Sequence, residues 1–463
     1  MTVQERIQGR KIGVIGMARS GIAAALLARE LGGEPFVSDS ASKEHLRDRL
    51  EQLRQAGLEF ETGAHSDRLL ESDYVILSPG VPPQVEIVKK IEARGIPIFS
   101  EIEFASWVCR GRIVGVTGSN GKTTTTTLLG AILEAAKLDT FVCGNIGLPF
   151  AQVADKVHAE AVAVVEISTF QLERIADLHP QVALILNLSP DHLDRHGTYE
   201  AYRRLKYRIT ENQTAEDCLI LNLEDEDTVR DDPSTAAEKM YFCTRDYSRA
   251  AAFVRDGILW IRTDGREKAV LPTDQIGIPG PHNLQNSAAA AVAAGRLGVS
   301  ADVMAEVLRT FPGVEHRLEK VDRVAGIDFV NDSKATNVDS VCYALRSIDG
   351  PIYLIAGGRG KGSSYEPIAR YGRDKIKGLL LIGEARDQIF AELGKTFSTQ
   401  FADSLEDAVR RAFDLAHPGD TVLLSPGCAS FDMFQDFEHR GRAFKQAVNA
   451  LKNGNRTHET IND

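Results

Sequence analysis

The residues best suited to chemistry begin at Gly118. The run Gly118-Ser119-Asn120-Gly121-Lys122-Thr123-Thr124 follows a short apolar stretch, Ile113–Val116, and precedes a helical pattern, Thr125–Ala136. Glycines let a backbone turn so that successive N–H groups face phosphate oxygens. A following lysine reaches the β- and γ-phosphates, and the next hydroxyl can hold magnesium. The N-terminus of the helix adds positive potential. The usual spacing, G-x-x-x-x-G-K-[ST], fails because Val116 stands where the first glycine belongs; the loop is a shorter G-x-x-G-K-T-T. Gly-Lys-Thr-Thr between a buried strand and a helix still reads as a grip for a nucleoside triphosphate.

Carboxylate and imidazole positions follow. Glu166 closes the apolar run Ala161–Val165. A carboxylate at the carboxyl end of a buried strand, in the same unit as a phosphate loop, is placed to bind magnesium. A helix cap or a structural ion pair is the other reading. His192 lies in Asn187-Leu188-Ser189-Pro190-Asp191-His192, after another buried strand, Val182–Leu186. In a parallel sheet that strand end shares a rim with the phosphate loop, so His192 is a candidate second metal ligand, against the ordinary reading of a loop histidine. Lys206, in the helical pattern Tyr199–Asn212, reads by itself as one lysine on a solvated helix face.

A second glycine turn stands at the N-terminus. Gly16-Met17-Ala18-Arg19-Ser20-Gly21 follows the strand pattern Lys11–Ile15, and Asp39 follows the next strand, Glu34–Val37. This nearly matches the dinucleotide fingerprint G-x-G-x-x-G with its downstream acid. Ala18 replaces the second glycine and would crowd a pyrophosphate. Two readings stand: a nicotinamide enzyme, or a Rossmann-like unit for another diphosphate such as a UDP-sugar. Ser78-Pro79-Gly80, after Tyr74–Leu77, offers a further turn on the same rim.

The elements that must position these residues fall into three α/β segments. At 463 residues the chain has room for roughly three domains of about 150 residues each. We set the boundaries at 1–109, 110–312 and 313–463. The first and third alternate short apolar strands with helical patterns and are expected to be Rossmann-like. The central segment has near-continuous Val, Ile and Leu strands, as in a parallel sheet buried on both faces, and is expected to be P-loop ATPase-like. Looser alternation over Tyr241–Val270 predicts a small antiparallel piece. Third-segment strands are predicted at Ile327–Val330, Ile352–Ala356, Leu379–Ile382 and Thr421–Leu424. The polar tail Lys452–Asp463 is expected to be disordered.

Composition narrows the classes. The chain is 43% hydrophobic and 26% charged, with a net charge of −11, which argues against a nucleic-acid partner. Six scattered cysteines, without a C-x-x-C pair, suit free thiols in a reducing compartment. Met1–Arg10 lacks a signal-peptide core, and no apolar run approaches the roughly 20 residues of a membrane span. The expectation is a cytoplasmic protein, monomeric, without membrane insertion.

Taken together, the motifs resemble the Mur ligase family: a Rossmann-like unit, G-x-x-G-K-T-T, a glutamate at a strand end, Asp-His, a helical lysine, His282-Asn283 and a C-terminal α/β unit. The resemblance covers essentially the whole chain. Gly144-Asn145-Ile146-Gly147, Glu166–Leu172, Asn331–Asn337 and Ser425–Asp432 resemble most the branch that adds D-glutamate. Gly427 departs from the pattern, where alanine is expected. A relative with another acceptor amino acid, or a folylpolyglutamate ligase, is the alternative.

The resemblance implies an ATP- and Mg2+-dependent ligase acting on UDP-N-acetylmuramoyl-L-alanine and D-glutamate through an acyl phosphate, in peptidoglycan precursor synthesis. It implies that Gly118, Ser119, Asn120, Gly121, Lys122, Thr123 and Thr124 hold the ATP phosphates. Asn283, Asn286, Arg317 and Asp332 would serve the rest of the nucleotide. Thr123, Glu166, His192 and a carbamylated Lys206 would serve the metal. The first segment becomes the UDP-substrate domain, through Gly16, Met17, Ala18, Arg19, Ser20, Asp39, Ser40, Ser78 and Gly80, joined by Asn145, Ser168 and Gln171. The third becomes the amino-acid domain, through Lys334, Thr336, Lys361, Ser430, Phe431 and Phe437. Without this resemblance, Lys334 and Lys361 read as solvated lysines. The third segment would carry part of each pocket, so domain closure would assemble the site.

Overall fold

Apolar runs bounded by glycine turns pair into three sheets in a computed structural model that describes residues 2–230, 233–263 and 265–459. The first sheet comprises Lys11–Ile15 (β1), Glu34–Asp39 (β2), Glu59–Thr62 (β3), Tyr74–Leu77 (β4) and Ile98–Ser100 (β5). It is parallel throughout, in the order β3-β2-β1-β4-β5. Both glycine turns of this segment therefore leave carboxyl ends of adjacent strands, β1 and β4, as a doubly wound sheet requires.

The second sheet has nine strands among the described residues. They are Arg112–Thr117 (β6), Thr140–Gly144 (β7), Val162–Glu166 (β8), Val182–Ile185 (β9), Cys218–Asn222 (β10), Glu238–Phe242 (β11), Ala252–Arg255 (β12), Ile258–Thr263 (β13) and Arg266–Pro272 (β14). Their order is β14-β13-β12-β11-β10-β9-β6-β8-β7. β6 lies between β8 and β9, so the phosphate loop emerges at the centre of the parallel part, beside the ends of both neighbours. β12, β13 and β14 are antiparallel, which is the small piece read over Tyr241–Val270.

The third sheet comprises Glu319–Val324 (β15), Ile327–Asn331 (β16), Ile352–Gly357 (β17), Ile376–Ile382 (β18), Thr399–Phe401 (β19) and Thr421–Leu424 (β20). Its order is β15-β16-β20-β17-β18-β19, parallel except for the β15–β16 pair. β16 and β20 are neighbours, so Asp332 and Ser425, which follow them, meet at one rim. Each sheet carries its own α/β domain.

Contacts group the chain into two compact units. One holds Met1–Pro190, Thr198–Gln275 and Gln285–Arg309, and thus the first two sheets; the other holds Asp191–Gly197, Ile276–Leu284 and Thr310–Asp463. A single apolar core runs from the first sheet into the second, through Ile12, Val14, Ile102, Phe104, Phe150, Val165 and Ile185. In the second unit, helix Phe437–Glu459 lies on the third sheet through Phe444 and Val448. The tail departs from expectation as far as it is described: it is helical to Glu459. A helix already nucleated on the core extends through polar residues at little cost, and Lys452 pairs with Asp322 at 2.5 Å. The last four residues lie outside the described residues.

Candidate active site

The phosphate loop is built by backbone. Gly121 caps helix Lys122–Ala135 in the left-handed region, at φ 82°, where L side chains are strained. A Cβ at that position would also run into the Asn286 side-chain oxygen. Thr125 Oγ1 donates to that same oxygen at 3.3 Å, so Asn286 is fixed against the loop. Asn187 pins the other side: Asn120 N donates to its Oδ1 at 2.8 Å, and its Nδ2 donates back to Asn120 O at 3.0 Å. Ser119 lies buried, its hydroxyl 2.8 Å from Tyr202 Oη and accepting from Ser189 N at 2.9 Å. Thr123 and Thr124 are buried at the first turn of the helix.

Two ammonium groups converge on the loop. Lys122 Nζ donates to the carbonyls of Gly118 and Ser119 at 2.8 and 2.9 Å. Lys206 Nζ donates to Gly118 O at 2.8 Å and lies 4.7 Å from the Tyr202 ring centroid. Read alone as a solvated lysine, Lys206 is in fact 1% exposed. Helix Tyr199–Tyr207 turns Tyr202 and Lys206, one turn apart, toward the loop. Nothing local in the sequence marks Tyr202 as a site residue, since its partner Ser119 is distant in the chain.

Glu166 ends β8, next to the loop, and is 1% exposed. Its Oε1 accepts from Asn145 Nδ2 at 2.9 Å. Its Oε2 is buried without a hydrogen-bond partner. A buried carboxylate oxygen left unpaired is costly, and a divalent cation is the partner its chemistry suits. Asn145 N also donates to Glu166 O at 2.9 Å, which ties the turn after β7 to the end of β8. Ser168 and Gln171 form a capping box on helix Thr169–Leu172, two residues past Glu166.

The N-terminal turn is arranged differently. Helix Arg19–Glu30 has no side-chain cap at Ala18, and Ala18 and Arg19 are exposed. Met17 N donates to Asp39 Oδ2 at 2.6 Å, and Ala41 N to Oδ1 at 2.8 Å, so Asp39 organises its own rim. Ser78 Oγ donates to Gly16 O at 3.0 Å and joins the two turns. Ser20 is half-buried, while Ser40 and Gly80 are exposed beside them.

The second unit gathers the remaining candidates. Asp332 is buried; its Oδ2 accepts from Ser425 Oγ at 2.9 Å, and Arg317 lies 3.7 Å from Oδ1. Burial pushes its carboxyl up to about 6, against the opposing pull of Arg317 and Ser425. Asn283 Nδ2 donates to Pro279 O at 2.7 Å. His192 sits at φ 51° beside Asp191, whose Oδ1 accepts from His192 N at 2.9 Å. Asp191 is also reached by Asn337 Nδ2, at 3.5 Å. Lys334 Nζ lies 5.1 Å from the Phe437 ring centroid, and Thr336 N donates to Lys334 O at 2.9 Å. Lys361 is half-buried, Ser430 is buried and Phe431 is 64% exposed.

Arg440 joins the two motifs of this unit. It is 1% exposed; its Nε donates to Ser333 Oγ at 3.0 Å, and its Nη2 to the carbonyls of Ser333 and Cys428 at 2.9 and 3.1 Å. Burial lowers its pKa to about 10. One guanidinium thus holds Asn331–Asn337 against Ser425–Asp432. Nothing in the spacing of Arg440 marks it in the sequence.

Family models match in three stretches: a MurD N-terminal domain over residues 11–87, a Mur ligase middle domain over 116–294, and a Mur ligase, glutamate ligase domain over 316–428. The chain is 41% identical to the UDP-N-acetylmuramoylalanine--D-glutamate ligase of Alkaliphilus metalliredigens, across 96% of this chain and 99% of that protein. It is equally similar, 41% over the same shares, to the enzyme of that name from Salinibacter ruber. The chain belongs to the Mur ligase family. Solved structures with the Mur ligase fold superpose along the chain's length. UDP-N-acetylmuramate-alanine ligase from Thermotoga maritima gives a TM-score of 0.62 at 19% identity, covering 96% of this chain and all of that one. A pseudomurein peptide ligase type C from Methanothermus fervidus gives 0.61 at 19%, with the same coverage. No helix among the described residues is long and apolar enough to cross a membrane.

Proposed function

We propose that the chain is an ATP-dependent ligase that joins D-glutamate to UDP-N-acetylmuramoyl-L-alanine, giving ADP and phosphate, as a monomer in the cytoplasm. The observation that carries this reading is likeness at 41% identity, over 96% of the chain, to proteins of that name. The loop geometry agrees with it, since a carboxylate cannot be attacked usefully by an amine until its oxygen becomes a leaving group. Transfer of the ATP γ-phosphoryl to the L-alanyl carboxylate gives an acyl phosphate and ADP. The D-glutamate amine then attacks the acyl carbon, phosphate departs with the C–O bonding pair, and the amine loses a proton.

The chain's part is to bind, orient and neutralise. Gly118, Ser119, Asn120, Gly121, Lys122, Thr123 and Thr124 hold the phosphates, with Lys122 Nζ turning from its loop carbonyls to phosphate oxygens. Asn283, Asn286, Arg317 and Asp332 hold the rest of the nucleotide. Gly16, Met17, Ala18, Arg19, Ser20, Asp39, Ser40, Ser78 and Gly80 receive the uridine diphosphate. Asn145, Ser168 and Gln171 face the rest of that substrate. Lys334, Thr336, Lys361, Ser430, Phe431 and Phe437 receive D-glutamate, and the two lysines suit its two carboxylates.

The unpaired Glu166 Oε2 supports a magnesium site held by Thr123, Glu166, His192 and a carbamylated Lys206. Bound there, magnesium supplies charge neutralisation for phosphoryl oxygens. Carbamylation, in which the Lys206 amine adds to carbon dioxide with loss of two protons from the ammonium, leaves one N–H on Nζ as a donor and adds two carboxylate-like oxygens.

A panel of acceptors with phosphate release as readout tests the function. D-Glutamate alone among D-glutamate, L-alanine, meso-diaminopimelate and glutamyl-folate is expected to drive release. Preference for any other acceptor overturns the assignment.

A further inference from the structure

Helix Glu101–Val108 follows β5 and is nearly all apolar apart from two glutamates, each 0% exposed. Glu101 Oε1 accepts from Ala151 N at 2.6 Å, while its Oε2 is buried without a partner. Glu103 uses both oxygens. Its Oε1 accepts from Trp107 Nε1 and Asp177 N, each at 2.8 Å, and its Oε2 from Ala176 N at 3.0 Å and Leu178 N at 2.9 Å. Apart from Trp107, which lies on the same helix, these partners belong to two separate loops of the second sheet.

Ala151 stands in the short turn Phe150–Gln152, directly after the Gly144–Pro149 loop. That loop is closed by Gly144 N donating to Leu148 O at 2.9 Å, and it presents Asn145 to Glu166. Ala176–Leu178 follows helix Thr169–Leu172, whose capping box is Ser168 and Gln171. Ser100 N reinforces this second loop by donating to Arg174 O at 2.8 Å. We infer that Glu101 and Glu103 are positioning residues, which hold from one helix the two loops that present Asn145, Ser168 and Gln171 to the UDP-substrate.

The energetics favour this over a role in stability alone. An apolar side chain would fill the same space without desolvating a charge, and removing buried ionic groups in that way is often neutral or stabilising. Burial pushes the Glu101 carboxyl up to about 7. A carboxylate, unlike a hydrocarbon, fixes backbone N–H groups in direction and distance. Glu103 does so for three consecutive residues. The inference rests on the reading that Asn145, Ser168 and Gln171 face the UDP-substrate.

Steady-state kinetics on the full chain test it, with Glu103→Gln, Glu103→Asp and Glu101→Gln. Misplaced substrate groups lose binding steeply with small displacements, so Glu103→Gln is expected to raise KM for UDP-N-acetylmuramoyl-L-alanine roughly tenfold, with KM for ATP within about twofold. Glu101→Gln keeps an acceptor oxygen and is expected to raise the same KM by only about threefold. If Glu103→Gln does not fold, Glu103→Asp, with its retracted carboxylate, is expected to show the same selective rise. A lower melting temperature and lower apparent kcat with unchanged KM values would overturn the inference, as would KM values that all rise together. Failure of the wild type to turn over this UDP-substrate would instead remove the substrate reading itself.

Discussion

Two glycine turns in this chain look alike and are built differently. Both follow a parallel strand and open a helix, at Gly16–Gly21 and at Gly118–Lys122. The second is enclosed: Asn187, Tyr202 and Lys206 bind its backbone or its serine from outside, Asn286 accepts from Thr125 in the helix that follows, and its hydroxyl residues are buried. The first is open at Ala18 and Arg19, and Asp39, at the end of the neighbouring strand β2, bonds to nearby backbone N–H groups. An enclosed loop holds charged oxygens in a preorganised, water-poor cradle, where electrostatic stabilisation of a reacting phosphoryl group is strongest. An open turn offers a helix N-terminus to a diphosphate that only needs to be bound. On the proposed function, a glycine pattern marks phosphate, whereas the enclosure around it marks chemistry.

Three variants would break or sharpen that contrast. Lys122→Ala is expected to lower kcat by roughly a thousandfold or more, because it removes a charge that acts on the transferring phosphoryl group; single-turnover ADP formation checks this. Activity within a few fold of wild type would mean that the enclosed loop does not serve the chemistry. Lys206→Ala is expected to lower kcat by about a hundredfold, with partial rescue by acetate or formate if a carbamate normally stands there. Mass spectrometry of the native protein would show the added carbon dioxide mass, and lack of rescue would count against the modification. Asp39→Asn, which removes a charge bonded to the open turn, is expected to raise KM for the UDP-substrate by about fivefold and to leave kcat near wild type, the signature of lost binding common to ground and transition states. A comparable fall in kcat would erase the distinction between the turns.

The two turns also show where sequence reading stops. The strands that carry both, β1 and β6, are buried on both faces, so their apolar runs are legible as parallel strands. β3, β7, β15 and β19 lie at sheet edges, with half-exposed patterns such as Glu-Phe-Glu-Thr and Thr-Gln-Phe, and no clear apolar run reveals them. Glu166 was legible because it interrupts an apolar run at a strand end. Lys206 became a candidate only through family resemblance, since a helical pattern shows the period of a side chain and not what covers it. Tyr202, Arg440, Glu101 and Glu103 act through partners far away in the chain, and no local spacing encodes such a partner.

By itself the sequence determined the chemistry available to this protein: a phosphate loop before a helix, a carboxylate at a strand end, and three α/β segments in a fixed order. Those features are local, set by turn geometry and by burial along a few residues. Tertiary structure alone decided which groups are enclosed and what they meet. It buried Lys206 against Gly118, left one oxygen of Glu166 unpaired, and let one helix hold two distant loops through Glu101 and Glu103. The physical reason is that desolvation and hydrogen-bond direction, which set the strength of every polar group in a site, are properties of the packed surroundings.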